Sequence, residues 1–535
     1  MDRKTILALV LMGLVILFMG RYQKKALPQR TVEQTRSEAG DYSESRALSE
    51  TPSPDIPMAA PILSEAGYFG SRAVGGFAAR QIVLENETVR GELSTQGGTI
   101  GSWRLKTFRG KDGIEDVELL AEGSSGLSLA LWNQELRAWE NLDQIEWKDE
   151  NGSDSVRLVA ELGEGRQIEK IFTLSRTGYV VDMSIRFHGF ESGTRTRLAW
   201  TGGMAVTEKD RKEDLNAMQV RTYMGGEVEK YDLKKGQSLQ SPSVVGALDW
   251  VCLRNKYFAI ALIPALGHES TFSVSAAQWD GAESKRYDVF LESTIGDDSE
   301  EGFLVYLGPQ RYADMVSLGV GLERAMDLGW RWMRSIAKVM LAVLTAMHRV
   351  IPNYGVVIIL FSIMIKILVY PLTHSSYKST TKMQELQPLI AQLKEKWSGD
   401  AQRLNKETMK LYKEHGANPV GGCLPMLLQM PILFALFTVF RGTIEFRQAG
   451  FISGWIDDLA QPDPFYVLPV LMGVTMFIQQ KMTMKDPKQA AMVYLMPIMM
   501  VFFFIRFSSG LVLYYTLFNV LSGLQQWLTK RHTLA

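Results

Sequence analysis

Asn418-Pro419-Val420-Gly421-Gly422-Cys423-Leu424-Pro425-Met426-Leu427-Leu428-Gln429-Met430-Pro431-Ile432 joins a basic, helix-patterned loop to a hydrophobic run that carries an amide. Asn-Pro and the glycine pair break the preceding helix. Pro425 suits the first turn of the next one, where a missing N–H is tolerated. Gln429 then sits inside an apolar helix, where its side chain needs a polar partner. The stretch reads as the cytoplasmic entry to a membrane-embedded segment.

Working outward, five apolar runs cover about 355–372, 423–440, 465–480, 489–505 and 508–528. The connection 375–420 carries eight Lys/Arg and the loop 481–489 carries three, whereas 442–464 has only Arg447 against four acids. Positive loops stay inside, which puts 375–420, 481–489 and both termini in the cytoplasm. Within 375–420, Met383, Leu386, Ile390, Leu393 and Trp397 form a coiled-coil-like 3-4 seam. Ser398-Gly399-Asp400 is its turn, Leu404, Leu411 and Tyr412 begin the returning face, and Pro388 implies a kink in the first arm. The loop is therefore expected to be a helical hairpin.

Thr5–Gly20 is an uncharged run followed by Arg21 and Lys24, with no small-residue cleavage site and no lipoprotein cysteine. It reads as an uncleaved anchor over 1–23. Residues 24–70, with Pro52, Pro54, Pro57 and Pro61, have a composition that cannot offset ordering entropy and read as a flexible linker. Over 71–325 the period changes to two: Tyr179, Val181, Met183, Ile185 and Phe187 alternate with polar neighbours. Turn clusters such as Gln96-Gly97-Gly98 separate such strands, as in a large β-sandwich. In 326–350, Met333, Ile336, Met340, Val343 and Met347 repeat at helical spacing beside Trp330 and Trp332. That pattern suits an interfacial amphipathic helix; a helix packed on the β-domain is the plainer reading.

Bulk properties exclude more than they assign. Lys+Arg and Asp+Glu balance at 58 each, so nothing favours a nucleic-acid partner. Cys252 and Cys423 fall in different expected compartments, which argues against a disulfide framework. No Walker loop, zincin motif or nucleophile elbow occurs, and the six histidines lack metal-ligand spacing. No catalytic residue, metal site or cofactor is expected. What stands out is polarity inside apolar runs. Lys366 lies among Ile363, Met364, Ile365, Ile367 and Leu368, where a charge costs roughly 2.5–3.5 kcal/mol on insertion scales. Ser362 lies one turn away on the same face. Snorkelling is the plain alternative, because Leu372 is only about 9 Å further along the helix at ~1.5 Å per residue. Gln429, Tyr514, Tyr515, Asn519 and Gln525 add polar groups in other runs; each alone reads as an interhelical hydrogen bond.

The opening stretch, and the chain from about 327 to 528, resembles the YidC/Oxa/Alb family of membrane protein insertases. The resemblance implies six transmembrane helices, five of them a conserved core over 351–535, plus a large periplasmic β-sandwich domain. It also implies an inner-membrane protein, N-in and C-in, with about 21–350 periplasmic. Lys366 matches the family's single groove cation, and Ser362, Gln429 and Tyr515 match groove-lining positions. The usual residue at the first of these is arginine; lysine keeps the charge but lacks the planar fork. Implied partners are nascent membrane proteins, the Sec translocon with its accessory subunits, the lipid bilayer, and ribosomes, which many relatives contact through a basic tail longer than Lys530–Ala535. The implied function is insertion and folding of membrane proteins through a hydrophilic groove. A small-solute transporter is the competing reading, although paired broken helices and repeats are not evident. An envelope enzyme or sugar-binding receptor led by the β-domain is a third.

Overall fold

The computed structural model describes residues 79–150, 155–234, 237–265, 269–278, 284–296, 298–417, 424–483 and 490–534. The expected anchor and linker, and Asn418–Cys423, lie outside the described residues. The chain divides into a β-rich unit whose main part ends at Asp327 and a helical unit beginning at Leu328.

Period-two patterning does build the β-rich unit. In strand Val180–His188, Val181, Met183, Ile185 and Phe187 are buried while Asp182 is exposed. The strand pairs are antiparallel and form two sheets. One runs through Val156–Gly163, Arg166–Leu174, Val180–His188, Ser299–Pro309, Phe258–Pro264, Val244–Arg254 and Gln219–Met224. The other runs through Val89–Ser94, Thr99–Arg109, Ser125–Asn133, Thr194–Thr201, Arg286–Ile295 and Glu269–Ala277. Val244–Arg254 serves both: its first residues pair with Glu269–Ala277 and its last with Phe258–Pro264. The faces meet in the core, where Trp103 Nε1 of one sheet donates to the Leu307 carbonyl of the other at 3.2 Å.

Three buried basic residues were not legible in the pattern. Lys170 Nζ donates to the carbonyls of Gly98 at 2.9 Å and Leu127 at 2.8 Å, with the Trp147 ring centroid 4.7 Å away. Burial pushes its pKa down to about 7, opposed by the Asp143 carboxylate. The Gly97-Gly98 turn that it caps has positive φ at both residues, and a Cβ on Gly98 would lie 2.9 Å from Trp147. Near the end of the unit, buried Arg221 and Arg254 both donate to the Ala325 carbonyl, at 2.8 and 3.1 Å. They tie the exit segment to the sandwich.

The helical unit opens with helix Arg331–His348. Met333, Ala337, Met340, Leu341 and Leu344 are buried, whereas Trp330 and Trp332 are exposed. Ile336, Val343 and Met347, expected on the apolar stripe, are half-buried. The next helix, Tyr354–Glu385, is continuous for 32 residues, roughly 48 Å at ~1.5 Å per residue. It therefore does not end near 372. The expected loop boundary at 375 is corrected: polar residues after Leu372 leave an apolar stretch but not a helix, and Pro371 is accommodated inside it. Pro388 is also corrected. It lies in the first turn of a separate helix, Gln387–Lys396, where its missing N–H breaks no bond. The return arm is Ala401–Glu414, capped by Asp400, whose carboxylate accepts from Arg403 N at 2.9 Å.

Helices Leu424–Gly442, Val467–Thr483, Ala490–Phe504 and Ser509–Leu534 complete the unit. Among the described helices, Tyr354–Pro371 is the one stretch long and apolar enough by itself to cross a membrane; 429–442, 467–482 and 493–504 are shorter apolar stretches. One loop ties helix starts together. Asn353 caps its own helix through Val356 N and donates to the Phe451 carbonyl at 3.1 Å. Ser509 N donates to the Gln461 carbonyl at 2.7 Å. Buried Asp463 accepts from Trp455 Nε1, Phe465 N and Leu468 N at 2.8, 3.0 and 2.7 Å. Three helices thus begin on a shared, hydrogen-bonded floor.

Candidate functional site

That floor sets the helix beginning at Tyr354 and the one beginning at Ser509 side by side, running in the same direction. Lys366 and Ser522 then fall at nearly the same depth. Lys366 is buried and its Nζ donates to Ser522 Oγ at 2.7 Å. The Phe518 ring centroid lies 4.8 Å from the ammonium and that of Tyr377 lies 5.7 Å away. The lysine head thus lies against the neighbouring helix, among Ser522, Phe518 and Tyr377. Among the described residues no carboxylate forms an ion pair with it. On the same helix Ile367 and Leu368 are about 70% exposed, so a buried cation and an outward apolar face share one turn.

Below this pair the two helices continue to meet through polar groups. Gln525 Nε2 and Thr373 Oγ1 are 3.0 Å apart, and Tyr377 lies within hydrogen-bonding reach of Ser522 and Gln479. Ser376, Thr380, Gln526 and Thr529 are also buried. Sequence reasoning missed Thr373, Tyr377, Phe518 and Ser522. The signal existed as polar residues at three- and four-residue spacing, on Thr373, Ser376, Tyr377 and Thr380 and again on Ser522, Gln525, Gln526 and Thr529.

Of the sequence-selected residues, Lys366, Ser362 and Gln429 are buried, but they do not form one hydrogen-bonded group. Ser362 Oγ donates back to the Ile358 carbonyl at 2.7 Å, because a serine inside a helix finds the carbonyl four residues earlier. Gln429 Nε2 donates to the Tyr514 hydroxyl at 3.3 Å. Tyr515, the selected member of the tyrosine pair, instead stacks its ring on Phe504 with centroids 5.5 Å apart. Adjacent residues on a helix point about 100° apart, so only one of the two tyrosines can face Gln429. Asn519 is buried, and its Nδ2 has no acceptor among the described residues.

The helical hairpin after Met383 has a small core. Leu386 and Ile390 are buried with Ala417, and Met383, Leu411 and Tyr412 pack against them. Leu393 and Trp397 are half-buried, and the Arg403 guanidinium covers Trp397 at 4.1 Å. The seam therefore closes at its base and loosens toward its tip.

Comparison with known proteins identifies the family. The family model for the 60Kd inner membrane protein matches residues 346–534, and that for the YidC periplasmic domain matches 81–343. The membrane protein insertase YidC of Chlorobium phaeovibrioides is 36% identical, covering 86% of this chain and 84% of its own. The chain belongs to the YidC family of membrane protein insertases. The YidC of Pelodictyon phaeoclathratiforme is 33% identical across 100% of this chain and 96% of its own length. A crystal structure of an active YidC insertase with its first transmembrane domain resolved aligns at 18% identity with a TM-score of 0.38, covering 85% of this chain and 93% of that one. The large β-rich domain and the C-terminal helical region correspond to the two parts of the YidC architecture. No comparison supports the transporter reading.

Proposed function

We propose that this YidC-family chain moves nascent membrane proteins into the bilayer along a hydrophilic groove centred on Lys366. The observation that carries the reading is the buried Lys366 ammonium, bonded to Ser522 and lacking a described acidic partner, on a helix whose other face is apolar and exposed. A cation placed this way attracts an acidic segment of a client and lowers the cost of its crossing hydrocarbon. Asn519 supports a wet groove: an unpaired buried amide costs about 1–3 kcal/mol, and groove water relieves that. The client's apolar helix slides along the exposed Ile367 and Leu368 face into lipid, where transfer of its apolar surface drives the step. The process needs no nucleotide, covalent intermediate or cofactor.

In the proposed topology six spans cross the inner membrane, with both termini and the 375–420 hairpin cytoplasmic and about 21–350 periplasmic. The first span is assigned to 1–23. The domain limits follow the sequence reading, with the Lys366 helix running on to Glu385 and the hairpin arms formed by Gln387–Lys396 and Ala401–Glu414. Loop charge supports the orientation. The hairpin meets emerging client, and the Sec translocon with its accessory subunits is a partner for larger clients; ribosomes are a further partner on the cytoplasmic side. The test is complementation of a host depleted of its own insertase, read as protease accessibility of a small Sec-independent membrane protein. Restored translocation that falls with Lys366→Ala is expected. Restoration untouched by that substitution removes Lys366 from the mechanism, and no restoration by an integrated, well-expressed protein removes the function.

A further inference from the structure

The Lys366 environment is built for an ammonium. Ser522 is fully buried, and its hydroxyl is the lysine's hydrogen-bond acceptor at 2.7 Å. Phe518 lies one helical turn earlier on the same face and presents its ring to Nζ at 4.8 Å, with Tyr377 completing the third side at 5.7 Å. A point charge with three rotatable donors is satisfied by one acceptor and ring faces, whereas a planar guanidinium with five N–H groups is not. Cation–π attraction grows when the pair is desolvated. A buried ammonium deprived of its acceptor bears a desolvation penalty and leaves the site for a wetter position.

We propose that Ser522 and Phe518 form a seat that parks the Lys366 ammonium in the groove and makes them positioning residues for recognising acidic clients. The proposal rests on the insertase reading above. A client carboxylate approaches a lysine already held at groove depth and replaces the Ser522 hydroxyl as its partner. No counter-acid has to be displaced, so the exchange is a hydroxyl for a carboxylate, and a charge-assisted hydrogen bond is the stronger of the two. The seat thereby favours acid-bearing translocated segments over neutral ones.

The experiment uses the full-length protein in a host depleted of its own insertase, with two forms of one single-span client. One carries two Asp residues in the translocated segment; the other carries Asn at the same positions. The readout is the ratio of their insertion rates, taken at matched membrane levels of each variant. Ser522→Ala and Phe518→Leu are each expected to lower the Asp-to-Asn ratio three-fold or more, and Ser522→Thr, which keeps the hydroxyl, to restore it. Lys366→Arg is expected to lower the ratio as well, since the seat does not fit a guanidinium. A ratio unchanged or raised in Ser522→Ala and Phe518→Leu overturns the seat, as does an equal loss for both clients. Failure of the wild-type protein to insert either client overturns the insertase reading itself, so the two failures are separable.

Discussion

Gln429 Nε2 lies 3.3 Å from the hydroxyl of Tyr514, while Tyr515, the next residue, stacks on Phe504. The tyrosine pair is therefore asymmetric in its contacts. Tyr514→Phe leaves a buried amide donor without its partner, at a cost of about 1–3 kcal/mol, whereas Tyr515→Phe keeps the stacked ring. The expected outcome is a several-fold fall in client insertion for Tyr514→Phe and little change for Tyr515→Phe. Equal loss in both, measured by client protease protection, would contradict the assignment of Tyr514 to Gln429.

Asp463 links three donors at the start of helix Val467–Thr483, one of them the Trp455 indole. A helix cap alone is worth about 0.5–2 kcal/mol, and two further donors lose their acceptor when the carboxylate is removed. Asp463→Ala is expected to lower the unfolding temperature of the purified protein in detergent by several degrees. It should also speed tryptic cleavage at Arg447, in the loop that the helix starts share. Asp463→Asn, which keeps one acceptor oxygen, should fall between. A wild-type melting curve and cleavage rate for Asp463→Ala would show that the shared floor does not depend on this residue.

Gly355 allows the same floor to approach the Lys366 helix. A Cβ there would lie 2.0 Å from Phe451 Cδ2 and 2.6 Å from its Cβ, so rotating the ring gives no escape. Replacing a helical glycine by alanine ordinarily gains up to ~1 kcal/mol; overpacking costs about 1–3 kcal/mol. The clash wins, and Gly355→Ala is expected to destabilise the protein. Phe451→Ala in the Gly355→Ala background should recover part of that loss in thermal unfolding. A Gly355→Ala protein as stable as wild type would show that the loop yields.

How much of this was legible in the sequence depends on the kind of signal. Strands such as Val180–His188 were readable because one buried face imposes a period of two, and apolar runs were readable because uncharged apolar residues dominate many consecutive positions. Lys366 was visible as a charge where charge is expensive. Its partners were not, since Ser522 and Phe518 are ordinary residues until the pairing of two helices separated by well over a hundred positions is known. The 354–385 helix ran past its expected end because hydropathy marks where lipid contact stops, whereas hydrogen bonding marks where a helix stops. Tyr515 was selected through its match to a groove-lining position of the family, whereas the bond from Gln429 to Tyr514 shows only once the helix rotation is known.

Lys170 gives the β-rich unit a pH dependence of definite sign. Burial lowers its pKa from the ordinary 10.5 to about 7, with Asp143 opposing, so the folded state holds this proton less tightly than the unfolded chain. Stability therefore rises with pH between about 7 and 10.5, and below about 7 the full cost of burying the ammonium is present. The slope from this group is at most ~1.4 kcal/mol per pH unit. Denaturant unfolding of the full-length protein, followed by near-ultraviolet circular dichroism, is expected to show rising stability of the β-rich unit from pH 7 to 9. Lys170→Met removes the titrating group, so its stability should be flatter across that window. It should also be lower at pH 9, because the Gly98 and Leu127 carbonyls lose their shared donor. Parallel pH profiles for the two proteins would mean that Lys170 keeps its proton throughout, held by those carbonyls and by Asp143.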